Sequence, residues 1–182
     1  MTQVGSSLAL AALVAWVVQG VALVALAPLA ATVLGAAAGA AAVALSRRIV
    51  FGGAVALLSP FGVMLPSLAL GRVLARLGVD LPGFSVSELV VFLAGYTVFL
   101  CSAFGVLRVD LYRLGYGPVP VAGMVLAVCL YAALAGNWVL ALVAVVSQFF
   151  WVMRWGSSNW FDYVLHVLLW PVALVALVAS VL

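Results

Sequence analysis

Apolar residues fill this chain in long stretches, and its eleven formally charged residues sit only where such stretches begin or end. A hydrocarbon core rejects charge and leaves a helix no polar partner except its own backbone, so the pattern predicts an all-α, polytopic transmembrane helix bundle. The first stretch, residues 6–46, would measure about 60 Å as one helix, twice the hydrocarbon thickness, so it must fold back on itself. Pro28 is the natural break, because it lacks an N–H and crowds the preceding turn. Spans over 7–26 and 29–45 follow. A third, 50–70, contains Pro60 and Pro66 and runs into a short amphipathic piece stopped by Gly78. The fourth, 86–107, opens on Ser85 with Glu88 three residues later, the spacing of a capping box. A polar turn over 108–117 precedes the fifth span, 119–135. Gly136 and Asn137 connect it to the sixth, 138–153. Asn159 introduces the seventh, 160–181, with Pro171 as an expected kink.

Seven spans place Arg47, Arg48, Arg108, Arg113 and Arg154 on one side and Arg72 and Arg76 on the other. The positive-inside rule then puts the N-terminus in the cytoplasm. If 50–70 is re-entrant there are six spans, and the arginines divide four against three. Tyr112, Tyr116, Trp155, Trp160 and Tyr163 gather near the same boundary, as an aromatic belt would.

Composition narrows this further. Hydrophobic residues make up 69% of the chain and charged ones 6%, against roughly 25% charged in soluble domains. No soluble domain is expected, since the longest less apolar segment, 71–87, is too short to bury a core. One integral membrane domain over 1–182 is the reading. The first residues lack the positive n-region of a secretory signal, so the first span is expected to be retained. A vocabulary rich in valine, alanine and leucine without lysine suggests a GC-rich genome, and with it the cell membrane of a prokaryote.

Absences exclude several chemistries. Without lysine there is no retinal Schiff base. One histidine cannot supply a bis-histidine haem, and no clustered His, Cys, Asp or Glu set suits zinc or iron. Glycine loops followed by lysine, as in nucleotide motors, are missing. Gly156-Ser-Ser does not match a nucleophile elbow. Scattered arginines give no nucleic-acid surface. Cys101 and Cys129 fall inside spans without CxxC spacing and read as small buried hydrophobes. No cofactor and no metal are expected.

A few polar residues remain as a candidate polar site: His166, Gln148, Asp162, Gln19 and Tyr96. Asp162 and His166 are four apart and share a helix face, which suits a proton relay. Asp162 also follows Asn159 by three and reads as the acidic member of a helix cap. His166 and Gln148 come out at similar depth on neighbouring antiparallel spans, predicting a hydrogen bond that is either interhelical glue or part of a site. Gln19, Tyr96 and Thr97 lie near mid-membrane and either line a small polar cavity together with Gln148 and His166 or bond locally. Gly35 and Gly39 present a small face for close helix packing, inside the bundle or between subunits. Gly52, Gly53, Pro60 and Pro66 mark the third span as the irregular one. The segments 72–78 and 108–115 resemble one another, as a duplication remnant or as two helix ends with arginine in the last turn and glycine at the cap.

Three functions follow. The first is a non-catalytic multi-pass membrane protein, a packing or accessory subunit whose partners are the lipid bilayer and other membrane subunits, or a second copy through the second span. The second is a small permease or channel for a neutral or weakly charged solute. The third is an interfacial enzyme acting on lipid through Asp162, His166 and Arg154.

Overall fold

The computed structural model describes residues 2–46, 53, 56 and 62–181. The chain forms two compact units, Met1–Leu81 and Pro82–Leu182. Every regular element among the described residues is helical. Among the described residues three helices, Val4–Ala22, Val86–Ala103 and Pro118–Ala135, are long and apolar enough to cross a membrane, and four further apolar helices are shorter. Large side chains such as Val91, Leu126 and Leu134 stand exposed along these helices, as lipid-facing surface does where no water has to be avoided.

The first unit contains α1 (Thr2–Ala22), α2 (Pro28–Ala44) and α3 (Met64–Ala75). The break falls at Pro28 as expected: Pro28 opens α2, and Ala27 before it is extended, the conformation a following proline imposes. α1 closes at Ala22, earlier than residue 26, and turns through 23–26 on bonds such as Leu26 N–H to Ala22 O at 2.8 Å. Ala31, Gly35, Gly39 and Ala42 form the buried stripe of α2. A β-carbon on Gly35 would stand 2.6 Å from Ala15 O, and one on Gly39 equally close to Ala11 O. The glycine face therefore packs on α1 within the same chain, backbone against backbone.

Much of the irregularity expected around Gly52, Gly53 and Pro60 lies outside the described residues. Pro66 does not interrupt its helix. It occupies the first turn of α3, where the missing N–H has no intrahelical partner to lose. The helix runs on to Ala75, and Gly78, at φ +84°, terminates it with Val79 N–H on Leu74 O at 3.1 Å.

The second unit comprises α4 (Val86–Ala103), a 3-10 turn (Tyr112–Tyr116), α5 (Pro118–Ala135), α6 (Trp138–Val152), a single turn α7 (Phe161–Val164) and α8 (Leu169–Val181). Both halves of the capping box at Ser85 and Glu88 form. Glu88 also accepts from Tyr131 Oη at 3.0 Å and Asn137 Nδ2 at 3.5 Å, so one carboxylate joins the start of α4 to the α5–α6 connection. Val121 and Val125 of α5, Ala144 of α6 and Trp160 just before α7 form a core.

Two expected elements are corrected here. α4 stops at Ala103 and not at 107, because Ser102 Oγ accepts from Leu111 N–H at 2.8 Å and donates to Val109 O at 2.5 Å, pulling the chain back over the helix end. Segment 108–115 is accordingly a loop and a 3-10 turn, and only segment 72–78 is a helix end. The seventh span is broken outright rather than kinked: Leu165 is extended and helix resumes at Leu169. Pro171 explains the position, since it offers no N–H to the carbonyl of residue 167 and its ring crowds that carbonyl.

Candidate functional site

Polar side chains in this chain collect at a few joints. In the first unit the joint is Gln19, completely buried on α1. Its Nε2 donates to Thr32 Oγ1 of α2 at 2.8 Å and to Val73 O of α3 at 3.3 Å. Its Oε1 accepts from Arg76 Nη1 at 3.2 Å, and the same Nη1 reaches Trp16 O at 3.3 Å. Thr32 passes its own proton to Pro28 O at 2.8 Å. One amide thus ties three helices together with both of its ends engaged, as burial of a polar group requires.

In the second unit the joint is Asp162. Its carboxylate accepts from Tyr112 Oη at 2.8 and 2.9 Å and from Ser157 Oγ at 2.5 Å. Asn159 completes the clasp: Nδ2 donates to Tyr112 O at 2.7 Å, and Oδ1 accepts from Phe161 N–H at 2.9 Å. Trp160 N–H meets Gly115 O at 2.9 Å. Any side chain on Gly115 would collide with Asn159, so the 3-10 turn approaches this loop because residue 115 is glycine. Burial first, and then the hydrogen bond and charge of Asp162, hold the Tyr112 phenol well above its ordinary value near 10.

Asp162 therefore does not cap its own helix through a backbone N–H. Its side chain joins two loops, and Asn159 supplies the local N–H contact. Trp160 and Tyr163, expected in an interfacial belt, are 4% and 2% exposed and belong to the core. Tyr116 and Trp155 do stand exposed.

His166 sits in the gap between α7 and α8, 5% exposed. Its Nδ1 accepts from Leu168 N–H at 3.2 Å, and its carbonyl accepts from Leu169 N–H at 2.8 Å. An Nδ1 acting as acceptor leaves the ring proton of the neutral imidazole on Nε2. The residue closes the turn that leads into α8, the helix that begins anew ahead of Pro171.

The bond expected between Gln148 and His166 is not formed among the described residues. Ser147, one position earlier, makes the link from α6, with its Oγ 2.7 Å from Val143 O and 3.1 Å from Tyr163 O. Adjacent helical residues point about 100° apart. Ser147 shares the buried face with Val143 and Ala144, while Gln148 is half-exposed. The break also redirects His166 to its own downstream turn.

Tyr96 is buried between Phe92 and Phe99, with ring centroids 5.6 and 6.1 Å away. Phe99 packs in turn on Phe161 at 4.6 Å and Tyr112 at 6.1 Å. Aromatic contacts thus carry Tyr96 to the Asp162 clasp. Thr97 joins α4 to α8 by accepting from Trp170 Nε1 at 3.0 Å. An open depression of about 450 Å³ lies beside the clasp, lined by Ser102, Ala103, Gly105, Asp110 and Tyr112. Among the described residues no set of three His, Cys, Asp or Glu converges as a metal site would require. Ser147 and Ser157 carry no signal in the sequence, and Tyr112 and Asn159, visible there as a belt residue and a helix start, become partners only when the loops are brought together.

Comparison with known proteins finds no matching family, no matching curated protein and no matching solved structure.

Proposed function

We propose that this chain is a non-catalytic, multi-pass integral membrane protein that serves as a packing or accessory subunit of a larger membrane assembly, with about seven passes and a cytoplasmic N-terminus. The observation that carries this reading is how the polar side chains are used. Gln19 spends its amide on three helices, Asp162 on Tyr112 and Ser157, and His166 on the turn that opens α8. Groups already committed to the protein's own backbone and side chains hold geometry and offer little to a passing solute. Partner subunits would meet the exposed apolar helix faces. The glycines of α2 are taken up by α1, so association through them would have to displace α1.

The test is native mass spectrometry of the protein extracted from its own membrane, beside a flux assay on the purified chain in liposomes. Co-extraction at fixed stoichiometry without flux supports the accessory role. Solute flux by the chain alone, lost in His166→Ala, would sink it in favour of a permease. That second reading draws on one feature: a helix broken at a buried histidine resembles the discontinuous helices of secondary transporters.

A further inference from the structure

The formal charge of +3 is unevenly distributed. Residues 1–81 hold Arg47, Arg48, Arg72 and Arg76 against Asp80 alone, while residues 82–182 hold three arginines against Glu88, Asp110 and Asp162. The second unit is formally neutral, and the first carries the whole excess.

Arg72 and Arg76 lie one turn apart at the end of α3, on one helix face. Cations at a helix C-terminus answer its dipole, but that does not explain where the Arg76 side chain goes. It leaves its own helix and reaches α1, where Nη1 donates to both Trp16 O and Gln19 Oε1. Its Nη1 and Nη2 stand 3.2 and 3.3 Å from the point a β-carbon of Gly20 would occupy. Glycine at position 20 thus lets the guanidinium settle against the helix. Gln19 is itself held by Thr32 and Val73 O, which aims Oε1 at the arginine. Nη1 is used, while the Nε and Nη2 hydrogens, three of the five donors, have no partner among the described residues. Arg76 nevertheless remains exposed, as does Arg72.

A guanidinium fixed on one edge and open on the other suits a tetrahedral oxyanion. The surroundings choose its source. Val17, three residues before Gly20 on the same face of α1, is an exposed apolar residue, so the guanidinium resting at Gly20 borders surface fit for an acyl chain. We propose that Arg72 and Arg76 bind the phosphate of an anionic glycerophospholipid, with Gln19 acting as a positioning residue for Arg76. This site needs only the membrane placement and is independent of the accessory-subunit role.

The experiment is native mass spectrometry and thermal melting of the full chain in detergent, titrated with phosphatidylglycerol, phosphatidylcholine or inorganic phosphate. Phosphatidylglycerol should bind and raise the melting temperature, with the other two far weaker. Arg72→Gln with Arg76→Gln should weaken phosphatidylglycerol binding roughly tenfold or more, while Arg113→Gln leaves it unchanged. Gln19→Leu should weaken it by a smaller factor without changing charge. If the double variant fails to fold, Arg72→Gln alone, which removes no described hydrogen bond, must still lower the affinity several-fold. Equal binding of both lipids, an unaffected arginine variant, or inorganic phosphate matching the lipid would each overturn the proposal.

Discussion

Gly35 of α2 faces Ala15 of α1 so closely that a β-carbon at residue 35 would stand 2.6 Å from the Ala15 carbonyl oxygen. The obstacle is backbone, which cannot swing aside as a flexible side chain would. Gly35→Ala should therefore destabilise the first unit by about 1–3 kcal/mol, the range for overpacking. Gly123→Ala is the matched control, because nothing lies within 4 Å of its added methyl. It should be neutral or slightly stabilising. Thermal unfolding in detergent reads both, and equal losses would show that the close approach does not matter.

The end of α6 offers a change in the opposite direction. Trp155 N–H bonds Phe150 O at 3.1 Å, Arg154 N–H bonds Trp151 O at 3.0 Å, and the Phe150 and Trp155 rings stack at 4.8 Å. These are the two hydrogen bonds and the apolar contact of a Schellman motif. Its left-handed position, at φ 52°, holds Arg154 where glycine is usual. Arg154→Gly should raise stability by about 0.5–1 kcal/mol, and Arg154→Asn by less. A lower melting temperature for the glycine variant would contradict this.

Tyr112 and Asp162 give the clasp a dependence on alkaline pH. The phenol is raised above its ordinary value near 10 in the folded chain. Its contribution is therefore complete below that value and declines as pH climbs towards the folded one. Between pH 6 and about 9 stability should not change on its account. Above about pH 10 the wild type should lose melting temperature faster than Tyr112→Phe. At neutral pH the phenylalanine variant should itself be less stable by about 1.5–3 kcal/mol, for a hydrogen bond to a charged group. Parallel melting curves across the whole range would disprove the linkage.

His166 acts through Nδ1 on the Leu168 N–H. Asparagine offers an acceptor at similar reach, so His166→Asn should keep most of the stability that His166→Ala loses, about 0.5–1.5 kcal/mol for one hydrogen bond. Amide hydrogen exchange at residues 168–170 should quicken in the alanine variant only. Quickening in both variants would show that asparagine cannot replace the ring at this break.

Element positions were mostly legible in the pattern of apolar stretches and their punctuation. Pro28, the Ser85 and Glu88 pair, Gly78, and Gly136 with Asn137 each stop or start a helix through backbone chemistry confined to a few residues. Local rules suffice for such features. Two helix ends depart from the apolar pattern, one through a side chain and one through a proline. Ser102 shortens α4 by bonding residues seven and nine positions away, and Pro171 breaks a helix where a bend was expected.

The polar residues themselves were also visible, since each stands out in a chain that is 69% hydrophobic. Their partners were not. Gln19 with Arg76, Asp162 with Tyr112, and Ser147 rather than Gln148 towards the seventh span are pairings across 57, 50 and 16 residues. By itself the sequence determined that this chain is helical, suited to lipid, and where most of its helices begin and stop, because hydropathy and capping act over one or two turns. Tertiary structure alone decided which buried polar group satisfies which, because that depends on helix rotation, and a step of one residue turns a side chain by about 100°.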